Sequence, residues 1–252
     1  MRLRITKIVL CFWLVGWFLK AGFFSFYIFE EVIVFPYQMN FFPRFFQSPL
    51  VLGFFYLLPL LCVTGLYRDN AFYLRFSGWI MLIASCVLLL HQDTHNDATF
   101  LTSFWVAVWF LWLVYQEMST NKVMLLHAKS LALCVIAFIF AGAFIGKLTP
   151  EYWSGQAFAD IFMQQDYGWI GQWIRAHFPE DNIRTGFWWL SKAIIVGEGI
   201  MATAPLWPYS FILWFGIALM VSISFFTTWL IFSVLACLIG LLYAVGHMEW
   251  KN

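Results

Sequence analysis

Charge is the first thing this sequence lacks. Lysine and arginine number 14 and aspartate and glutamate 13 among 252 residues, so 11% of the chain is charged while 63% is hydrophobic. A water-soluble fold built from that mixture would have too few polar side chains to cover its surface. The two signs nearly cancel, at a net +1, and no stripe of lysine and arginine is gathered to track phosphates, which argues against a nucleic-acid partner. Cysteine is sparse as well. Cys11, Cys62, Cys86, Cys134 and Cys237 each fall inside an apolar run, where they act as small hydrophobes and not as a disulfide or zinc framework. There is no internal repeat, Gly/Ser linker or low-complexity tract, so residues 1–252 are expected to form a single integral membrane domain. Missing too are a Ser-His-Asp nucleophile elbow, a phosphate-cradling glycine loop and a zincin helix motif.

What is present is apolar length. Aromatic residues make up 22%, including 15 Trp and 30 Phe, natural where rings sit at headgroup level or pack among spanning helices. Apolar windows of roughly 20 residues mark spans, at 5–25, 50–67, 71–91, 99–117, 127–147, 185–206, 208–223 and 226–246. The expected fold is therefore all-α, a polytopic transmembrane helical bundle of about eight spans. The polar but uncharged stretch from Ser222 to Thr228 leaves open a single bent helix, which would make seven. The opening Arg2, Arg4 and Lys7 precede an apolar run with no small-x-small cleavage site, as in a retained signal-anchor. With that end in the cytoplasm, the same side collects Arg68, Arg75, Lys122, Lys129 and Lys251, against Arg44, Arg175, Arg184 and the border residue Lys147 opposite. The bias favours cytoplasmic termini.

Two connections on the non-cytoplasmic side are too aromatic for plain loops. Ile33 to Phe46, with Pro36, Pro43, Phe41, Phe42, Phe45 and Phe46, is expected to lie in the interface and to roof a cavity. Residues 156–178 mix Phe158, Ile161, Phe162, Trp169, Ile170 and Trp173 with Asp160, Gln164, Gln165, Asp166 and Arg175, as in one or two short amphipathic helices on the membrane surface.

Ionisable residues inside spans cost about 2.5–3.5 kcal/mol each near the bilayer centre, so each is a candidate functional group. Lys20, late in the first span, is expected to snorkel to the far interface. Lys147 follows Gly142 and Gly146, whose small-xxx-small spacing would hold it against protein. It then serves as a base or substrate anchor, or else simply snorkels at a helix C-terminus. Lys192 and Glu198 share the sixth span but not a helical face, so each needs a partner elsewhere. For Glu198, between Gly197 and Gly199, a lysine from another span is the natural one, whether as a site or as a buried staple. The densest polar cluster is the turn holding His91, His95, Asn96 and Asp97. It reads as a divalent-metal site, as a wall of a polar ligand site, or as a solvated turn.

The run Ile139-Phe-Ala-Gly-Ala-Phe-Ile-Gly-Lys-Leu-Thr-Pro-Glu-Tyr-Trp-Ser-Gly155 resembles a segment of the HTTM (horizontally transferred transmembrane) domain, the membrane portion of vitamin K-dependent gamma-carboxylases and their bacterial relatives. The aromatic, proline-bearing connection, the His95-Asn-Asp97 turn and the later acidic Glu198 fall in the family's order. The resemblance implies that Lys147 is the base that deprotonates a hydroquinone and that His95 and Asn96 wall the quinone pocket, with Lys192, Glu198, His91 and Asp97 in the same ligand site. The expected home is a bacterial inner membrane. Two features depart from the pattern. The large domain that follows the membrane portion in the carboxylases has no counterpart in these 252 residues, and Leu219-Met-Val-Ser222 stands where many relatives carry a histidine. A DoxX-like assignment competes. Three functions follow as expectations: a pocket for a lipophilic ligand such as a quinone, with redox or proton-transfer chemistry; a non-catalytic membrane subunit that helps a membrane or secreted partner protein mature or confers immunity to it; or a small transporter.

Overall fold

A computed structural model describes residues 2–21, 48–68, 70–90, 98–116, 122–164, 168–226 and 229–246. Every regular element among them is helical. Helix α1 is Arg2–Leu19. Pro49 opens α2 (Pro49–Leu57), which runs through a 3-10 segment, Leu58–Cys62, into α3 (Val63–Tyr67). Then come α4 (Ala71–Leu90), α5 (Ala98–Gln116), α6 (Lys122–Gly146), the short α7 (Pro150–Trp153), α8 (Gln156–Gln164) and α9 (Gly168–His177). Finally α10 (Glu180–Ala202) passes through a 3-10 turn, Ala204–Leu206, to α11 (Tyr209–Phe226) and α12 (Trp229–Gly246).

Each expected apolar window overlaps helical structure among the described residues, the second in the rod Pro49–Tyr67 and the sixth in a helix followed by a 3-10 turn. Among the described residues four helices, not the expected eight, are by themselves long and apolar enough to cross a membrane: Pro49–Tyr67, Ala71–Leu90, Ala98–Gln116 and Leu126–Gly146. They are compatible with an integral membrane protein. The choice between two helices and one bent helix after Ser222 turns on residues 227–228, which lie outside the described residues, as does the Phe-rich stretch Ile33 to Phe46. Within 156–178 the described residues form two short helices, α8 and α9.

The 3-10 segment in the second rod has a local cause. Pro59 has no N–H to give to the preceding turn, and the backbone tightens to 3-10 geometry around it. At its end Cys62 lies against α4, where its thiol donates to the Ser77 carbonyl at 3.5 Å. The Ser77 hydroxyl, 2.9 Å from the Tyr73 carbonyl, also reaches the Cys62 carbonyl at 3.4 Å. Gly65 faces Ser77 with no room for a Cβ.

Contacts divide the chain into two compact units, residues 1–132 with 229–252, and residues 133–228. In the first, α1 lies against α12 and α5, and α4 packs along α5. Gly240 of α12 lets Phe12 of α1 come close. The core of this unit is aromatic: Trp13 and Trp17 are fully buried and stack at 4.8 Å, with Phe100 edge-on to Trp17 at 5.3 Å. A buried indole N–H needs an acceptor, and helix carbonyls have a spare lone pair to offer. Trp13 Nε1 donates to the Ser103 carbonyl at 3.1 Å and Trp17 Nε1 to the Tyr56 carbonyl at 2.9 Å. The Tyr56 hydroxyl donates back to the Trp17 carbonyl at 3.0 Å. Trp109 Nε1 does the same for the Ala128 carbonyl, 2.8 Å away on α6. Lys20, expected to snorkel, is instead enclosed by protein at 5% exposure. It follows the buried Trp17 by one turn, on a side of α1 that packs inward.

Trp17→Ala removes this unit's central ring and should cost about 3–5 kcal/mol of stability. Tyr56→Phe removes one hydrogen bond and should cost about 0.5–1.5 kcal/mol. Thermal unfolding in detergent micelles checks the order, which a Tyr56→Phe loss as large as that of Trp17→Ala would contradict.

Candidate functional site

The second unit carries a cluster of polar groups around the end of α6. That helix closes with Lys147 N–H to the Phe144 carbonyl and Leu148 N–H to the Ile145 carbonyl, each at 3.1 Å. Thr149 is extended and caps α7: its hydroxyl oxygen accepts from Tyr152 N–H at 3.5 Å, with Pro150 in the first turn, where a missing N–H costs nothing. Glu151, exposed in that turn, has its carboxyl held below the usual carboxylate range by backbone and Thr149 hydrogen bonds. The turn ends at Gly155, the one described residue with positive φ, at +79°. A Cβ there would also stand 2.7 Å from the Trp188 Cα and 2.8 Å from its N, so only glycine lets this turn lie on α10.

Against that turn α10 presents Ser191, whose hydroxyl donates to the Tyr152 carbonyl. Two turns further on comes Glu198. Lys147 Nζ donates to both carboxylate oxygens, at 2.8 Å to Oε1 and 2.9 Å to Oε2. The glutamate side chain is 5% exposed and the lysine side chain 22%. The glycines on either side of Glu198 are what allow this burial. A Cβ on Gly197 would meet Leu219 of α11 at 2.7 Å, and one on Gly199 would meet Phe144 of α6 at 3.1 Å. The residues on either side of Glu198 thus each have an apolar side chain against them, Leu219 on one and Phe144 on the other. The Tyr152 ring is 6.0 Å from the ammonium.

Lys192 has an aromatic partner instead of a carboxylate. Its ammonium lies 3.2 Å from the centroid of Trp188, one helical turn back, and 5.4 Å from that of Trp153. The structure thus joins Lys147 to Glu198 and stations Lys192 on the neighbouring turn of α10. Among the described residues nothing lies within 4 Å of a Cβ at Gly142 or Gly146, the expected packing glycines, whereas Gly197 and Gly199 on either side of Glu198 are closely packed. His91, His95, Asn96 and Asp97 lie outside the described residues. Among the described residues no group of His, Cys, Asp or Glu is arranged to hold a metal ion. Tyr152, Trp153, Trp188 and Ser191 were not anticipated, although Trp188 is four residues before Lys192, the spacing at which two helical side chains meet.

Chemically, the pair is an anchor with capacity to spare. A lysine ammonium has three N–H donors, two of which are engaged by Glu198. In this arrangement the nitrogen offers donors and no lone pair, so action as a base requires the pair to open.

Gly155→Ala should destabilise this unit by about 1–3 kcal/mol, through the left-handed backbone and the overlap with α10. Gly142→Ala and Gly146→Ala should be neutral or slightly stabilising, since alanine favours helix. Detergent melting of the three variants tests the contrast, and equal effects would refute it.

A scan of the chain against protein-family models, a search of the curated proteins and a search of the solved structures each return no match.

Proposed function

We propose that this is an HTTM-like multi-pass membrane protein, with eight spans and both termini in the cytoplasm of a bacterium, that binds a lipophilic quinone-type molecule beside Lys147 and Glu198 and exchanges protons with it. The observation that carries the reading is a buried carboxylate bonded to a lysine that keeps 22% of its side chain open and a third N–H uncommitted to Glu198. A quinone oxygen is the kind of acceptor that such a donor fits, and the aromatic groups nearby, Tyr152 and Phe144, suit a ring. Lys147 first anchors the ligand as a donor. It becomes a base only once Glu198 has let go, so proton exchange belongs to the pair and not to the lysine alone. Leu219, in the stretch where the resemblance leads one to expect a histidine, packs on Gly197 beside Glu198. Chemistry that depends on that histidine is thus no part of this proposal.

One observation favours a second reading, a non-catalytic subunit. A two-point pair between α6 and α10 is also a staple, and breaking one partner of a buried pair costs about 3–5 kcal/mol whatever else the pair does. The reversed pair Lys147→Glu/Glu198→Lys separates the two. A staple tolerates reversal. A ligand site does not, because the donor is then moved to the other helix.

The expected result is that the native protein, extracted gently, retains a quinone detectable by mass spectrometry and binds added vitamin K quinone. Lys147→Ala and the reversed pair should bind it about tenfold or more weakly, the reversed pair with near-native melting. Unchanged quinone binding in Lys147→Ala, or none in the native protein, would remove this function and leave the staple.

A further inference from the structure

A second polar group lies in the other unit, at the end of the α4–α5 hairpin that holds the start of α4 and the end of α5. Arg75 is four residues inside α4, about 6 Å of helical rise, and Tyr115 is one residue from the end of α5. The hairpin is antiparallel, with Gly78 against Leu111 and Phe110. Both residues therefore occupy the same end, just inside the limit of two helices that are long and apolar enough to cross a membrane. The Arg75 guanidinium carbon stands 5.0 Å from the Tyr115 ring centroid. Its Nε is buried, with no hydrogen-bond partner among the described residues. Trp79, one turn along from Arg75, donates its indole N–H to the Tyr115 hydroxyl at 3.1 Å. That bond occupies the phenol as an acceptor and leaves its O–H to donate.

A charged guanidinium at this depth needs a counter-charge, because cation–π attraction alone is worth about 0.5–2 kcal/mol. Trp79 and Tyr115 are about half exposed, at 46% and 47%, and such aromatic residues favour the level of lipid headgroups. We propose that Arg75 and Tyr115 together bind the phosphate of an anionic lipid headgroup in the leaflet at this end of the hairpin, with Trp79 orienting the phenol. Guanidinium N–H groups and the phenolic O–H supply charge-assisted donors to the phosphate oxygens. The indole lies along the glycerol and upper acyl region, where its apolar body is at home. The site is separate from the Lys147–Glu198 pair and does not depend on what that pair does.

The test compares lipids on the intact protein. Native protein in mild detergent is mixed with phosphatidylglycerol or with phosphatidylcholine of the same acyl chains, and bound lipids are counted by native mass spectrometry. A preference of about tenfold for phosphatidylglycerol is expected. Arg75→Gln should abolish it, and Tyr115→Phe, which keeps the ring under the guanidinium, should reduce it about threefold. Unfolding temperatures of the apo variants identify any that have lost the fold, and Tyr115→Phe keeps the test decisive if Arg75→Gln does not fold. Equal retention of the two lipids by the native protein would overturn the proposal. So would an undiminished preference in a folded Tyr115→Phe. Displacement of phosphatidylglycerol by inorganic phosphate would assign the group to a free anion instead and equally end the lipid reading.

Discussion

A carboxylate buried among apolar helices has to be neutralised or matched, and in the second unit nearly every local choice is organised by how Glu198 is matched. Unpaired in an apolar interior, an ionised carboxylate would cost several kcal/mol. Lys147 meets it with two short bonds, and to bring the two together the backbone makes concessions on both sides. On α10, Gly197 and Gly199 surrender their side chains so that Leu219 and Phe144 can close in. After α6, the chain turns sharply through Thr149 and Pro150 and is laid on α10 by Gly155, which keeps the lysine end of α6 beside the glutamate. The pair, the turn and the three glycines act as one device.

The first unit solves a related problem by different means. Beside buried serine and threonine hydroxyls, its interior holds indole and phenol donors, which need partners among apolar helices just as charges do, though at lower cost. The partners are backbone carbonyls on other helices, such as those of Ser103, Tyr56, Trp17 and Ala128. A tryptophan-rich composition therefore does two jobs here: the rings fill the core and their N–H groups register one helix against the next. This explains why a chain with so little charge can still specify which helices meet.

The positions of the helices could be read from apolar length, because a run of hydrophobic residues has the same consequence wherever it occurs. The charge-bearing candidates could be found as well, since an ionisable group in such a run stands out. Partnership was harder. Glu198 called for a lysine from another span, and Lys20 and Lys147 both answered by type; only the tertiary contact selects Lys147. The sign of the glycine argument was also half right. Gly197 and Gly199 are contact glycines, whereas Gly142 and Gly146 have the same spacing as a packing motif and open space beside them. Spacing shows that a helix face is smooth and is silent on whether another helix uses it.

Composition by itself determined that this chain is apolar enough for a bilayer, because that is a sum over residues, and the order of its apolar runs determined where helices form. Tertiary structure alone decided that Lys192 rests on Trp188 and Trp153, that Lys20 is enclosed, and that Lys147 closes on Glu198. Such pairings depend on which helices cross and at what height, and energies of a few kcal/mol between groups far apart in the chain are set by that geometry and by no property of the residues taken singly.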